Sequence, residues 1–193
     1  VSKYLMRGYW IFRRIIPASL LRDLRCQADI ARSLAHEING PQAQRIQPLE
    51  KFSDKLDFQP FKDYAELADL REAIESLLGP GYTHAHLNIM GLLVEPLEHP
   101  WCCGWHRDGV VEVPIRDRNP AMNAAMKEFW HDLRVFNQVN CALYADYSTW
   151  FVPGSHLRTF DEPGEIESTG RSDMQIPPGS MSSAEAERYY LDH

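Results

Sequence analysis

Hydrophobic positions along this chain switch between a helical and an alternating period, and the switches mark its elements. Residues 8–16 (Gly-Tyr-Trp-Ile-Phe-Arg-Arg-Ile-Ile) concentrate β-branched and aromatic types before Pro17, which predicts a strand. With Ser19 as N-cap, Leu20, Leu24, Ala28, Ala31, Ala35 and Ile38 then recur at helical spacing until Asn39-Gly40-Pro41 stops the pattern. That face is core. Residues 40–60 carry no clean period and read as a long loop with short structure. Tyr64, Leu67, Leu70, Ile74, Leu77 and Leu78 predict a second amphipathic helix, ended by Gly79-Pro80-Gly81.

Residues 83–94 alternate instead. His84, His86, Asn88 and Met90 fall on one strand face and Ala85, Leu87 and Ile89 on the other. A strand around residue 106 finishes over Val110–Pro114. Residues 120–134 predict a helix, with Pro120 in its first turn and Met122, Met126, Phe129, Trp130 and Leu133 on one stripe, which suits packing better than a cofactor. Residues 135–144 and 149–152 read as paired strands with Asp146 in the turn between them. The stretch 160–180 is a polar, Gly/Pro-rich loop. Ser182-Ser183-Ala184-Glu185 then has the form of a capping box that starts a short helix toward Tyr189, Tyr190 and Leu191.

Composition narrows the classes. At 193 residues and 44% hydrophobic, the chain suits one domain, 1–193, with a substantial core. A net charge of −7 argues against a surface built for phosphate backbones, so nucleic acid is not an expected partner. No apolar run approaches the ~18 residues of a membrane span, and the N-terminal stretch lacks a signal-peptide core. Cys26, Cys102, Cys103 and Cys141 form no C-x-x-C pair, and reduced thiols in a cytoplasmic protein are the simpler reading.

The chemistry concentrates at Trp105-His106-Arg107-Asp108-Gly109. On a strand, residues i and i+2 share a face, so His106 and Asp108 can grip one metal ion, as two ligands of a 2-His-1-carboxylate iron(II) triad. Spacing alone is uninformative: with 8 His and 13 Asp in 193 residues, chance supplies about half an H-x-D. Context carries the weight. Forty-five residues after Trp105 comes Trp150-Phe151-Val152-Pro153-Gly154-Ser155-His156, preceded by Asn140-Cys141-Ala142-Leu143-Tyr144-Ala145-Asp146.

Together these two stretches resemble the phytanoyl-CoA hydroxylase-like family of iron(II)/2-oxoglutarate dioxygenases. The opening Gly8-Tyr9-Trp10-Ile11-Phe12 is similar to that family's start, so the resemblance runs from about residue 8 to the end. It implies an α+β chain with a double-stranded β-helix (jelly-roll, cupin-like) core buttressed by N-terminal helices. His106 and Asp108 would hold Fe(II). Asn88 and Met90 would face the 2-oxoglutarate co-substrate, with Asn140 and Trp150 on the hairpin walling the site, and the 120–134 helix would cover its mouth. The implied reaction consumes O2, decarboxylates 2-oxoglutarate to succinate and hydroxylates an unactivated C–H bond of a small organic substrate. The histidine of Pro-Gly-Ser-His is structural in the family, so His156 is not expected to bind metal.

The family's distal histidine, followed about ten residues on by an arginine, has no counterpart. His193 lies 85 residues after Asp108 in a helix-like context with no arginine behind it. The expectation is a chain without its C-terminal strands. Two rivals stand beside the oxygenase. One is a non-catalytic binding or scaffold protein on the same fold; the other is a cupin-type site built on His84 and His86. His36, in the last turn of the first long helix, reads as a helix-end histidine and not as a ligand.

Overall fold

The computed structural model describes residues 1–80, 87–99, 105, 120–121, 124, 137–157 and 179–192. The chain forms two compact units: Val1–Ile11 with Cys102–His193, and Phe12–Trp101.

The Phe12–Trp101 unit is organised by α2 (Ala18–Asn39), which follows α1 (Ser2–Arg7) of the other unit. Leu24, Ala28, Ala31, Leu34 and Ala35 of α2 are buried at the spacing that the sequence predicts. Alanine at three of those five sites lets neighbouring backbone come close while keeping the best helix propensity. The stripe ends early, because Ile38 is 51% exposed. Pro17, and not Ser19, is the N-cap, and its carbonyl accepts the amide of Leu21 at 2.9 Å. Its missing N–H costs nothing at a helix start.

The expected loop over 40–60 contains β1 (Arg45–Ile46), a 3-10 turn (Leu49–Phe52) and the start of α3 (Gln59–Ala65). The expected helix over 64–78 is in fact two, α3 and α4 (Ala68–Leu78), broken at Glu66 and Leu67. Arg71 Nε donates to the Ala65 carbonyl, covering a group that the break exposes. Asp57 accepts the Gln59 amide at 3.0 Å and its own amide donates to Gln27 of α2 at 2.9 Å, so α3 is pinned to the long helix from its first residue.

β1 pairs antiparallel with β2 (Leu92–Leu93), in the register Arg45↔Leu93 and Ile46↔Leu92. The pairing is continued by Val94 donating to Gln44 and Leu97 to Pro41. Alternation then puts Ile46 inside and Leu93 outside. Arg32 and His36, one turn apart on α2, both hold Glu95: Arg32 meets its carboxylate at 2.8 Å and His36 Nε2 its carbonyl at 3.0 Å. His36 therefore serves packing, as its position in the last turn suggests.

In the other unit, α1 is followed by no strand. Residues 8–16, expected to form a strand, are irregular: 8–11 in this unit and 12–16 in the Phe12–Trp101 unit, where Arg14 has φ 53°. Their aromatic residues serve tertiary contacts: Tyr9 packs on Phe151 with centroids 4.6 Å apart, and Trp10 meets Tyr190 edge-on at 5.0 Å. The expected hairpin of 135–144 with 149–152 is also replaced. Residues 137–144 form no strand, and β3 (Trp150–Phe151) pairs with β4 (Met181–Ser182), in the register Trp150↔Ser182 and Phe151↔Met181. β4 runs directly into α5 (Ser183–Asp192). Of the 120–134 helix, Pro120, Ala121 and Ala124 are described and all three are helical. Among the described residues the sheets are these two strand pairs, and no helix is long and apolar enough to cross a membrane.

Leu49 is fully buried and its amide donates to the Met90 carbonyl at 2.9 Å, so its side chain fills the unit where the 49–52 turn meets the 87–90 segment. Leu49→Ala should lower the unfolding free energy by about 2–5 kcal/mol in urea denaturation. A loss under about 1 kcal/mol would show that this position is not core.

Candidate functional site

The Trp150–His156 stretch is built from its hydrogen bonds outward. Asp146 opens an Asx-type turn: Oδ1 accepts the Ser148 amide at 2.8 Å and the Ser148 hydroxyl at 2.7 Å. Its Oδ2 accepts from the Ser183 hydroxyl at 3.4 Å, while the Ser183 amide donates to the Thr149 carbonyl at 3.0 Å. This carboxylate thus ties the turn before β3 to the first residue of α5. A negative charge beside a helix N-terminus is favourable in itself.

Ser182 and Glu185 complete the cap as the sequence predicts. Glu185 Oε2 accepts the Ser182 amide at 2.7 Å and its hydroxyl at 2.9 Å, and Ser182 Oγ accepts the Glu185 amide at 3.3 Å. The donated amide and hydroxyl of Ser182 hold the Glu185 carboxyl below the ordinary range. For Asp146, burial opposes ionisation, but the bonds from Ser148 and Thr149 together outweigh it and its carboxyl is also lowered.

Past β3, the Pro153-Gly154 turn docks on the C-terminus of α1. Gly154 donates its amide to the Arg7 carbonyl at 2.8 Å. His156 Nε2 lies 2.7 Å from the Leu5 carbonyl, and since a carbonyl only accepts, that nitrogen carries the proton. An imidazole with one N–H on a backbone carbonyl and the other nitrogen bare is how many metal-ligating histidines are oriented. Here the bare side is filled. Gly8, at φ +81°, faces the ring so closely that a Cβ on it would fall 2.8 Å from His156 Cγ and nearer still to Nδ1. Nδ1 is buried with no hydrogen-bond partner. The His156 ring is thus packed against the end of α1.

The other predicted site residues divide as follows. His106, Asp108, His84, His86, His193, Cys102 and Cys103 lie outside the described residues. Asn88 and Met90 belong to the Phe12–Trp101 unit and do not alternate on a strand: Asn88 is exposed on a 3-10 turn (Leu87–Ile89), and Met90 is half-buried with its carbonyl bound to Leu49. Asn140 and Trp150 belong to the other unit, Asn140 exposed in irregular chain and Trp150 half-buried on β3. Among the described residues, no group of three or more His, Cys, Asp or Glu side chains is arranged to hold a metal. Sequence reasoning missed the role of Gly8. Its one signal was a glycine directly before an aromatic pair.

No protein-family model, no curated protein and no solved structure matches this chain.

Gly8→Ala combines a left-handed backbone with a direct clash on His156, so it should cost about 2 kcal/mol or more in urea denaturation. In a His156→Ala background the same change should cost clearly less, because the clash is removed; equal costs in the two backgrounds would disprove the contact.

A carboxyl lowered by folding stabilises above its unfolded pKa, and that contribution disappears as pH falls through the folded value. Asp146 should therefore contribute at pH 7 and cease to do so on acidification below about pH 4. Asp146→Asn should lower the melting temperature at pH 7 and reduce the drop between about pH 5 and pH 3, measured by thermal scans of both proteins. Parallel curves would refute this role.

Proposed function

We propose that this chain is an iron(II)/2-oxoglutarate-dependent oxygenase that hydroxylates, or otherwise oxidises, an unactivated C–H bond of a small organic substrate. The observation that carries the reading is the pairing of Trp105-His106-Arg107-Asp108-Gly109 with the Asn140–His156 stretch in one sequence. The pairing is far more specific than either stretch alone. In this reading the frame is a double-stranded β-helix. Two stretches that carry the resemblance, at Gly8 and at Gly154–His156, meet in one compact unit.

The donor set suits ferrous ion. One neutral imidazole and one carboxylate leave half of the dipositive charge uncompensated, so an anionic co-substrate is drawn to the same ion. When bound, the metal with 2-oxoglutarate and O2 supplies the oxidant for the C–H bond, and 2-oxoglutarate leaves as succinate and carbon dioxide. The chain's own residues hold, orient and exclude water. His106 and Asp108 fix the ion, and a third protein donor is a residue other than His156. Because Asp108 fills a coordination position, a halide cannot take it, which favours hydroxylation over halogenation. The resemblance assigns Asn88 and Met90 to the co-substrate and Asn140 and Trp150 to the neighbourhood of co-substrate or substrate. A cytoplasmic setting belongs to the same proposal, in keeping with Cys26 standing as a free, exposed thiol.

The test is iron binding and succinate formation by the intact protein supplied with iron(II), 2-oxoglutarate and air. The wild type should bind iron and release succinate even without its proper substrate. His106→Ala and Asp108→Ala should each weaken iron binding by at least the roughly 10–100-fold that loss of a mere supporting residue costs. Iron content unchanged in His106→Ala would move the metal to His84 and His86. Neither iron binding nor succinate would leave a binding protein on the same fold.

A further inference from the structure

In the Phe12–Trp101 unit, a groove of about 460 Å³ lies where the last turn of α2 faces β1 and the 49–52 turn. Its volume falls within the range of small-molecule sites. Of its lining residues Ile46 is buried, Phe52 half-buried and Ile38, at the end of the buried stripe of α2, exposed. The lining is therefore partly apolar where α2 would otherwise have closed over it.

The charged groups that line it are Arg45 and Lys51, both exposed and on different elements, and no carboxylate lines it. That sign is opposite to the chain's net −7. Among the described residues neither cation has an ion-pair partner. Glu37 and Glu50 sit on the same elements without lining the groove. The negative end of α2 opposes an anion with roughly half a unit of charge, against two full positive charges. The balance is cationic.

We propose that this groove binds a small amphipathic organic acid, its oxyanion between Arg45 and Lys51 and its short apolar body against Ile38 and Phe52. Arg45 presents a planar fork suited to carboxylate, Lys51 a mobile point charge and Asn39 an amide dipole, while the Gln47 amide nitrogen is held by the Ile89 carbonyl. The site stands whether or not the oxygenase reading does, since it uses none of the proposed iron or co-substrate residues.

Octanoate, with octanol and inorganic phosphate as comparators, tests it by amide chemical-shift titration of the intact chain. Octanoate should give saturable shifts over residues 38–52 with a dissociation constant on the order of millimolar, tighter than either comparator. The double variant Arg45→Gln, Lys51→Gln should weaken octanoate about tenfold or more while leaving the rest of the spectrum in place. Should that variant misfold, salt gives the same answer: raising it from about 0.05 to 0.5 M should weaken octanoate and not octanol. Absence of saturable shifts at 38–52, octanol or phosphate binding as tightly as octanoate, or octanoate indifferent to both the variant and salt would overturn the proposal.

Discussion

The contact of the His156 ring with Gly8 is the constraint on which the described part of its unit depends. It joins residues 148 positions apart, and it works only because position 8 has no side chain. The left-handed backbone at Gly8 closes α1, its amide donating to Tyr4 at 2.8 Å, and the same absence of a Cβ admits the ring. One residue thus ends a helix and receives the turn that follows β3. With the ring seated, Nε2 reaches the Leu5 carbonyl, one of the helix-end acceptors that otherwise needs water.

From that anchor the order spreads through short-range chemistry. β3 carries Phe151 against Tyr9, and β4, its partner, carries Met181, whose sulfur accepts the Tyr9 hydroxyl at 3.8 Å. A two-residue strand pair has little stability of its own. Here it is bracketed on one side by the Asp146 turn and on the other by the Ser182–Glu185 cap, and Ser183 touches both. Arg7, at the end of α1, lies 4.7 Å above the Tyr189 ring on α5 and adds a cation–π contact between the first helix and the last. Fixing β4 therefore fixes α5, and the reverse holds as well.

What could be read from the sequence follows the range of the interactions. α2 was legible because twenty-two residues repeat one apolar stripe, and the α5 cap was legible because all four of its residues are consecutive. α3 was hidden because its seven residues bury only Pro60 and Phe61, too few to set a period. The strand expected over 8–16 failed for a different reason: aromatic content signals burial, and whether Tyr9 and Trp10 are buried by a ladder or by Phe151 and Tyr190 is decided far along the chain. The partner of Trp150 was misassigned on the same ground, since β4 lies thirty-one residues on and offers only Met181 and Ser182. Of the site, neither the packing of His156 on α1 nor the part of Gly8 in it could be read from spacing, since the two residues lie 148 positions apart.

That packing bears on what this imidazole does. A carbonyl-bound histidine with a bare second nitrogen is half-prepared as a ligand, so hydrogen bonding alone does not separate a structural histidine from a catalytic one. Space does. At His156, Nδ1 lies against Gly8 and is buried with no hydrogen-bond partner among the described residues, at a cost of about 1–3 kcal/mol. Such a cost is sustained only where the contact it permits is worth more, here the docking of β3 and its turn on α1. An imidazole packed in this way serves the docking of the turn on α1. The iron site proposed above relies on His106 and Asp108 and makes no use of His156.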